Sequence, residues 1–329
     1  MNECFQISVV LPTYNRLPIL KRVISALEDQ TVSKDSFEVI IISDGATDGT
    51  NEYLNALQTP FHLKTVVQAN QGVAAARNKG INTAVGEFIL FIDDDVVPSG
   101  RLIEEHISLH QAQGDSIVVI GPMLTPDDFE MAPWVVWEQE MLYKQYEDMR
   151  LGRWQPTARQ FYTGNSSLAR KHLLKVGGFD TQFRRAEDVE LAYRLTEFGV
   201  QFVFAPQAVG YHYADRSFQS WISTPYAYGR NDVFFTQQKG QDWLLPAVFR
   251  EFHSRHTFVR QFVRAFLGRP LLSKIAVNIL RTAVRLSPTR LSRAAYSGIF
   301  SLRYYQGVAD ELGGRSIFLA GVNAASGDN

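Results

Sequence analysis

Residues 87–95, Glu87-Phe-Ile-Leu-Phe-Ile-Asp-Asp-Asp95, place three consecutive aspartates directly after an unbroken apolar run. A short apolar run of this kind predicts a strand that is buried on both faces of a sheet. Three adjacent carboxylates repel one another, and carboxylate oxygens are ligands that hard divalent cations such as Mg²⁺ and Mn²⁺ prefer. A metal bridged to phosphate is one interpretation of this cluster, and a solvated turn is the other.

Strand and helix patterns alternate around this run over the first 120 residues. The predicted strands are Ile7–Leu11, Phe37–Ile42, His62–Val67, Glu87–Ile92 and Ile117–Ile120, and the predicted helices are Ile19–Leu27, Asn51–Leu57, Val73–Ala84 and Arg101–Gln113. Such alternation is typical of an α/β fold with a mostly parallel sheet flanked by helices. Sheets of this type bind ligands at the carboxyl ends of their strands.

Two further polar clusters follow predicted strands. Pro12–Arg16 comes after the first strand and Ser43–Gly49 after the second. Both are rich in turn residues, so each taken alone also fits a plain turn. No Walker loop occurs in the chain, which disfavours an ordinary P-loop ATPase. The first strand is followed by Pro-Thr-Tyr-Asn and not by a Gly-rich fingerprint, which disfavours a nicotinamide site.

Length and composition indicate a folded protein of about two domains. The chain has 329 residues, of which 45% are hydrophobic and 20% charged. Its one cysteine, Cys4, excludes a disulfide framework and a multi-cysteine zinc site. The N-terminus does not read as a signal peptide, and no run reaches the roughly 18 apolar residues of a membrane span. We therefore expect a cytoplasmic protein, either soluble or peripheral on the inner face of the membrane.

The charge is unevenly distributed along the chain. Pro246 to Tyr305 contains eleven Lys or Arg and one acid, Glu251, so it carries +10 although the whole chain carries -1. Apolar residues fall on one helical stripe between Val248 and Leu267, and Leu271–Leu286 repeats the scheme. Two interpretations stay open for this region. It is either a helical subdomain packed on the catalytic part or an amphipathic surface for an anionic membrane. Nucleic-acid binding is disfavoured because groove-reading and base-stacking motifs are absent.

Seven motifs in order resemble family 2 glycosyltransferases. They are Ser8-Val-Val-Leu-Pro-Thr-Tyr-Asn-Arg16, Ser43-Asp-Gly-Ala-Thr-Asp-Gly49, Gln71-Gly-Val-Ala-Ala-Ala-Arg-Asn-Lys-Gly80, Phe91-Ile-Asp-Asp-Asp95, Gly164-Asn-Ser-Ser167, Gly177-Gly-Phe-Asp180 and Glu187-Asp-Val-Glu-Leu-Ala-Tyr-Arg194. The resemblance covers roughly Ile7 to His212. It implies a GT-A fold, Rossmann-like, with a nucleotide-diphosphate sugar donor and a divalent metal, Mn²⁺ or Mg²⁺. The C-terminal region is expected to be a helical extension.

The resemblance also implies roles for residues of the donor site. They are Pro12, Tyr14 and Asn15 in the nucleotide pocket, Asp44 on the base, commonly uracil, Arg77 on the nucleotide or its phosphates, Asp93 toward the ribose, Asp94 in the variable middle position and Asp95 on the metal. Adjacent carboxylates leave open which two of the three aspartates act.

Two further assignments concern the reaction itself. Glu187 and Asp188 match the family's acid pair, with Asp188 as general base and Glu187 binding the acceptor or supporting the base. The alternative for this pair is a helix start, where acids are favoured by the helix dipole. His212 lies 24 residues after Asp188 and matches a metal-binding histidine, although a histidine between Tyr211 and Tyr213 also fits a packed structural residue.

Together these features predict an inverting glycosyltransferase that uses a UDP-sugar. We expect a catalytic domain over residues 1–215, with nucleotide binding in 1–120 and acceptor binding in 121–215, and a basic helical region over 216–329. The expected acceptor is a saccharide or a lipid-linked saccharide used in surface polysaccharide synthesis. A nucleotidyltransferase and a non-catalytic sugar-nucleotide-binding or scaffold protein are the alternatives. A nucleotidyltransferase needs a Gly-rich, basic loop near the first strand, which this sequence lacks.

Overall fold

The computed structural model describes residues 5–286 and 290–325, and Cys4 lies outside these ranges. Its elements divide into two compact units. The first unit comprises Met1–Met131 and Gln139–Ala214, and the second comprises Ala132–Glu138 and Asp215–Asn329.

A mostly parallel sheet forms the centre of the first unit. Its strands are β1 (Ile7–Thr13), β2 (Phe37–Asp44), β3 (His62–Gln68), β4 (Phe88–Ile92), β6 (Ile117–Ile120), β8 (Asn165–Ala169) and β9 (Gln201–Phe204). Their order across the sheet is β3-β2-β1-β4-β8-β6-β9. Only β8 runs antiparallel to its neighbours, β4 and β6. The predicted α/β fold is thus confirmed, and each of the five predicted strands is present.

A second, smaller sheet lies in the same unit. It has the order β5-β10-β7, where β5 is Val96–Pro98, β7 is Met123–Leu124 and β10 is Gly210–His212. The antiparallel pairing of β10 with β5 sets His212 opposite Val96. This register brings His212 beside the end of the aspartate cluster.

Helices join the strands of the main sheet. They are α1 (Leu17–Glu28), α2 (Thr50–Ala56), α3 (Val73–Thr83), α4 (Leu102–Gln113), α5 (Pro133–Arg150), α6 (Arg170–Val176) and α7 (Glu187–Glu197). In α1 the residues Leu20, Val23, Ile24 and Leu27 are buried, which is the spacing of one helical face. Helix α3 lies unusually close to the sheet, because a Cβ on Gly80 would stand 2.3 Å from Val10. This close packing fixes the position of Arg77, one turn earlier on α3.

The second unit is helical, as predicted for the C-terminal extension. Its helices are α8 (Phe218–Gln238), α9 (Leu244–Ser254), α10 (Thr257–Phe266), α11 (Pro270–Leu286), α12 (Arg290–Leu312) and α13 (Arg315–Ala324). Helices α8 and α12 are in backbone contact, since a Cβ on Gly229 would stand 2.0 Å from the carbonyl oxygen of Tyr304. Among the described residues, none of the helices is long and apolar enough to cross a membrane.

Trp137 and Tyr146 of α5 pack against other aromatic residues. Trp137 contacts Trp221 edge-on, at 5.9 Å between ring centroids, in the second unit. Tyr146 is buried, stacks on Phe204 and accepts a hydrogen bond from the backbone N–H of Met123. Aromatic rings contribute large buried areas when they pack in this way. These contacts explain the aromatic composition of α5 as core formation.

Candidate functional site

The three polar clusters meet at one edge of the main sheet. Strands β2, β1 and β4 are adjacent and parallel, so their carboxyl ends lie side by side. The chain runs outward from β1 to β2 and β3, and then returns to β4 on the other side of β1. Such a reversal of strand order opens a crevice, which is the usual ligand site of an open α/β sheet.

A hydrogen bond joins the loops at this crevice. The hydroxyl of Thr13 donates to Asp94 Oδ2 at 2.8 Å, and the backbone N–H of Tyr14 donates to the same oxygen at 3.3 Å. Burial raises the pKa of the Asp94 carboxyl to about 7, although Arg16 opposes the rise. Asp94, predicted to fill a variable position, therefore holds the loop after β1 against the loop after β4.

The other residues of the first cluster differ in exposure. Pro12 is buried inside β1, whereas the Tyr14 ring is half exposed. Asn15 has a left-handed backbone (φ 53°), and its side-chain oxygen accepts a hydrogen bond from the backbone N–H of Thr47 at 2.7 Å. Asn15 thus links the first cluster to the second, and the Tyr14 ring is left available to a ligand.

Asp95 is surrounded by basic groups. Its carboxylate pairs with the guanidinium of Arg16 and lies 3.6 Å from His212 Nε2. Burial disfavours the charged form of Asp95, but His212 and Arg16 together hold its pKa well below the usual range. The structure therefore places the two predicted metal ligands side by side, with His212 next to the ionised carboxylate of Asp95.

A buried arginine connects the third aspartate to the predicted catalytic acids. Arg77 Nη2 donates to Asp93 Oδ1 and Arg77 Nη1 donates to Glu187 Oε1, both at 2.8 Å. The Arg77 side chain is 4% exposed, while that of Asp93 is 37% exposed. Both terminal nitrogens of Arg77 are thus engaged by carboxylates, and Asp93 keeps a face open to solvent.

Asp188 lies in the first turn of α7. Ala186, which precedes the helix, has a left-handed backbone (φ 59°), a conformation that costs a residue with a Cβ about 1–3 kcal/mol and is common near functional sites. Burial raises the pKa of the Asp188 carboxyl to about 7, and the neighbouring Glu187 adds to the rise while Arg77 opposes it. A carboxyl with this pKa takes up and releases protons near neutral pH, as a general base must.

Asp44 ends β2 and caps the loop that leads into α3. Its two carboxylate oxygens accept three N–H bonds, from Gln68 Nε2 at 2.8 Å, from the backbone of Gln71 at 2.9 Å and from the backbone of Gly72 at 2.8 Å. An ionised carboxylate offers about four acceptor positions. Three of the acceptor positions of Asp44 are thus used by donors of the protein.

A buried network supports the strand beside Asp93. Asn165 donates from its amide nitrogen to the carbonyl oxygens of Pro122 and Ala208, so its Oδ1 must accept from His106 Nε2 at 3.0 Å. His106 Nδ1 then accepts from the Ser167 hydroxyl at 2.8 Å. Burial lowers the pKa of His106 to about 3, so this imidazole is neutral. The network is structural and fixes β8 at the crevice.

Three residues of this site have no role predicted from the sequence. Thr13 and Arg16 occur in the first motif without a role, although their position directly after a buried strand is a usable signal for both. The third is Gln139, whose Nε2 lies 3.4 Å from His212 Nδ1. Gln139 comes from a distant helix, and no local pattern marks it.

Within residues 5–286 and 290–325, no cluster of three or more His, Cys, Asp or Glu is arranged to hold a metal ion. Asp95 and His212 form a pair of potential ligands.

Comparison with known proteins supports the interpretation from motifs. The family model described as Glycosyl transferase family 2 matches residues 8–177. Validoxylamine A glucosyltransferase of Streptomyces hygroscopicus subsp. jinggangensis is 30% identical over 229 residues, which cover 62% of this chain and 54% of that protein. Chondroitin synthase of Escherichia coli is 28% identical over 237 residues, which cover 63% and 34%. The chain thus spans about half the length of these relatives, or less.

Solved structures share the architecture. S. aureus TarS 1-349 in complex with UDP-GlcNAc has a TM-score of 0.59 at 18% identity, covering 94% of this chain and 93% of that one. Mannosyltransferase PcManGT from Pyrobaculum calidifontis, in complex with GDP-Man and Mn²⁺, has a TM-score of 0.60 at 18% identity, covering 91% and 87%. At this identity the likeness concerns the fold, and it confirms the predicted GT-A architecture.

Proposed function

Because the chain belongs to glycosyl transferase family 2, we propose that it is an inverting glycosyltransferase that moves a sugar from a UDP-sugar to a hydroxyl group of a saccharide. The observation that carries the proposal is the cluster of charged side chains at the carboxyl ends of β1 and β4. There His212 lies beside Asp95, and Arg77 bridges Asp93 to Glu187 on the helix that bears Asp188. These contacts support a nucleotide site next to a general base.

The nucleoside would bind across the ends of β2 and β1. Asp44 has one acceptor position left after its three protein donors, which suits a single N–H group such as that of uracil. The half-exposed Tyr14 ring offers a stacking surface for a base. Asp93 has an exposed face for the ribose hydroxyls, because Arg77 contacts only one of its oxygens.

The residues at Asp95 fit a Mn²⁺ or Mg²⁺ ion. A carboxylate and an imidazole are ligands that suit Mn²⁺. Gln139 Oε1 is buried and, among the described residues, has no hydrogen-bond partner, while its amide nitrogen faces His212 Nδ1. Exchanging the two amide positions would let this oxygen accept from Nδ1–H. His212 would then present the lone pair of Nε2 toward Asp95, as a metal-ligating histidine does.

Each part of the site would have a distinct role in the reaction. A bound divalent ion would act as a Lewis acid for the charge that develops on the departing diphosphate. Asp188 would accept the proton of the acceptor hydroxyl as its oxygen attacks the anomeric carbon and the sugar–phosphate bond breaks. Displacement assisted by a single base inverts the anomeric configuration. Glu187, held by Arg77, would keep the first turn of α7 in place.

We assign the two parts of the chain to different tasks. Residues 1–215 would carry the catalysis, with nucleotide binding in 1–120 and acceptor binding in 121–215. Residues 216–329, with their basic stretch, would act at an anionic membrane. A lipid-linked saccharide used in surface polysaccharide synthesis would then be the acceptor, and the enzyme would be peripheral to the membrane.

Release of the nucleoside diphosphate tests the reaction. The protein would be incubated with UDP-sugars and Mn²⁺, with and without saccharide acceptors, and the UDP formed would be measured. We expect acceptor-dependent release that falls by at least about 100-fold in Asp188→Asn, the usual minimum for loss of a general base. Metal-dependent UDP binding without release under any of these conditions would favour a sugar-nucleotide-binding protein.

A further inference from the structure

The basic C-terminal stretch contains two amphipathic segments, which differ in how much of their apolar surface is buried. The apolar stripe of α9 and α10 faces inward, since Val248, Phe252, Val259, Phe262 and Val263 are all buried. This stripe forms the core of the helical unit. It is therefore not available to a partner.

Helix α11 has an apolar face on each side. Ala276, Val277 and Val284 are buried against the rest of the unit. The opposite face exposes four large aliphatic residues, Leu271 (77% exposed), Leu272 (47%), Ile275 (55%) and Ile279 (62%). Isolated exposed aliphatic residues are ordinary on protein surfaces, whereas a contiguous group marks an interaction site.

These four residues form one strip along the helix. Leu271, Ile275 and Ile279 follow each other at intervals of four residues, so their side chains stack along one side. At 1.5 Å per residue the strip is about 12 Å long. We call Leu271, Leu272, Ile275 and Ile279 the α11 strip. A helix lying flat would present all four residues on the side that faces the surface.

The surroundings of the α11 strip are basic. Arg269 and Lys274 are exposed beside it, and α11 contains no acidic residue. The one acid between Pro246 and Tyr305 is Glu251 on α9, and it is paired with Arg255 just after that helix. Aliphatic side chains combined with unopposed cations are complementary to a surface that is apolar inside and anionic outside. Protein interfaces, in contrast, are enriched in aromatic residues and depleted in lysine.

We propose that the α11 strip docks on an anionic lipid bilayer. Its aliphatic side chains would enter the boundary between headgroups and acyl chains, and Arg269 and Lys274 would contact lipid phosphates. This inference rests on the exposed face of α11 and not on the reaction proposed for the first unit. The inference narrows the proposed membrane contact from the whole basic stretch to one face of α11.

Vesicle flotation tests this surface. The full chain would be mixed with vesicles of phosphatidylcholine, or of phosphatidylcholine containing phosphatidylglycerol, and the floated fraction measured. The test variant is the triple substitution Leu271→Ser, Ile275→Ser and Ile279→Ser. A second variant, Arg269→Gln with Lys274→Gln, removes only charge. The matched control is Ile317→Ser, because Ile317 on α13 is 51% exposed and lies outside the strip.

We expect the unaltered chain and the Ile317→Ser control to float with anionic vesicles and not with neutral ones. The triple variant should lose at least about tenfold in partition coefficient. The charge variant should lose about fivefold for each cation removed, because one basic residue near such a surface contributes about 1 kcal/mol. Binding should also weaken at about 1 M salt, where the screening length is about 3 Å.

Three results would overturn the inference. One is equal flotation of the triple variant and the unaltered chain, and another is equal flotation with neutral and anionic vesicles. The third is a change in oligomeric state by light scattering when the strip is altered, which would assign the strip to a second copy of the chain. UDP binding in solution should be the same in all variants, so a failed membrane test would leave the proposed reaction unaffected.

Discussion

Arg77 on α3 donates to Glu187 on α7 across 2.8 Å, and the same guanidinium donates to Asp93 after β4. One buried arginine thereby joins Asp93, at the end of β4, to the helix that bears Asp188. The planar guanidinium suits this task, because it presents two nitrogens in a fixed fork. The arrangement assigns Arg77 a positioning role between two carboxylates, in addition to any contact with phosphates.

Replacing Arg77 should destabilise the protein. Arg77→Met would leave Asp93 and Glu187 without their shared cation, and breaking a buried pair in this way costs about 3 kcal/mol. Urea denaturation would measure the loss in the free energy of unfolding. Arg101→Met is the control, because Arg101 pairs with Glu104 and Glu105 at the surface and should change stability by less than about 1 kcal/mol. Equal losses in the free energy of unfolding for Arg77→Met and Arg101→Met would mean that the Arg77 bridge stabilises the protein no more than a surface ion pair does.

Asp188→Asn should separate catalysis from binding. We expect transfer to fall by at least about 100-fold while nucleotide affinity changes little, because the base acts only on the acceptor proton. Turnover and equilibrium binding of UDP would be measured on the same preparation. A parallel loss of nucleotide affinity would show that Asp188 serves the donor site and not the reaction.

The pKa of Asp188, raised to about 7 from 3.8, also predicts a pH dependence. Transfer requires the ionised carboxylate, so kcat/KM should rise with pH through about 7. A carboxyl whose pKa is higher in the folded protein binds more protons when folded. Its contribution to the free energy of unfolding therefore decreases as pH rises from 3.8 to about 7. The unaltered chain should lose stability relative to Asp188→Asn across that range, and a constant difference in urea unfolding would contradict this.

Arg16 should compete with a metal ion for Asp95. Arg16→Gln would leave Asp94 and Asp95 without their cation, so the melting temperature without metal should fall by a few degrees. Adding Mn²⁺ should recover this loss, and the rise in melting temperature on adding Mn²⁺ should be larger in Arg16→Gln than in the unaltered chain. Arg22→Gln is the control, since Arg22 pairs with the exposed Asp128. An equal Mn²⁺ response in all three proteins would exclude competition at Asp95.

Much of the fold could be predicted from local patterns. The strands at Phe37 and Phe88 are unbroken apolar runs, and their burial on both faces leaves little choice of structure. Strands β1, β2 and β3 end one or two residues later than predicted, at Thr13, Asp44 and Gln68, because sheet hydrogen bonds continue into the polar segments. Strand β8 is not among the predicted strands, and its antiparallel course could not follow from a residue pattern, which does not state the direction of a strand.

The sequence predicts most residues of the candidate site, but it does not predict which side chains contact each other. Asp93, Asp94 and Asp95 are adjacent in sequence, yet Asp93 pairs with Arg77, Asp94 accepts from Thr13 and Asp95 lies beside His212. Arg16 pairs with both Asp94 and Asp95. These partners come from distant segments, so only the sheet order and the β10–β5 register bring them together. The contact of Gln139 with His212 is unpredictable for the same reason, because the two residues are 73 positions apart and meet only in the folded chain.

In the proposed reaction, Asp95 and His212 help to hold the nucleotide through a divalent ion. The decisive experiment is thermal melting with a panel of nucleoside diphosphates and their sugars, in Mn²⁺ or in EDTA, with Asp95→Asn as the comparison. A ligand at 100 times its Kd adds about 2.7 kcal/mol to the stability of the folded protein, which corresponds to a rise in melting temperature of about 5 °C. We expect such a rise with UDP or a UDP-sugar only in Mn²⁺, and its loss in Asp95→Asn. An equal rise in EDTA, or no rise with any nucleotide, would show that no metal-bridged nucleotide binds at Asp95.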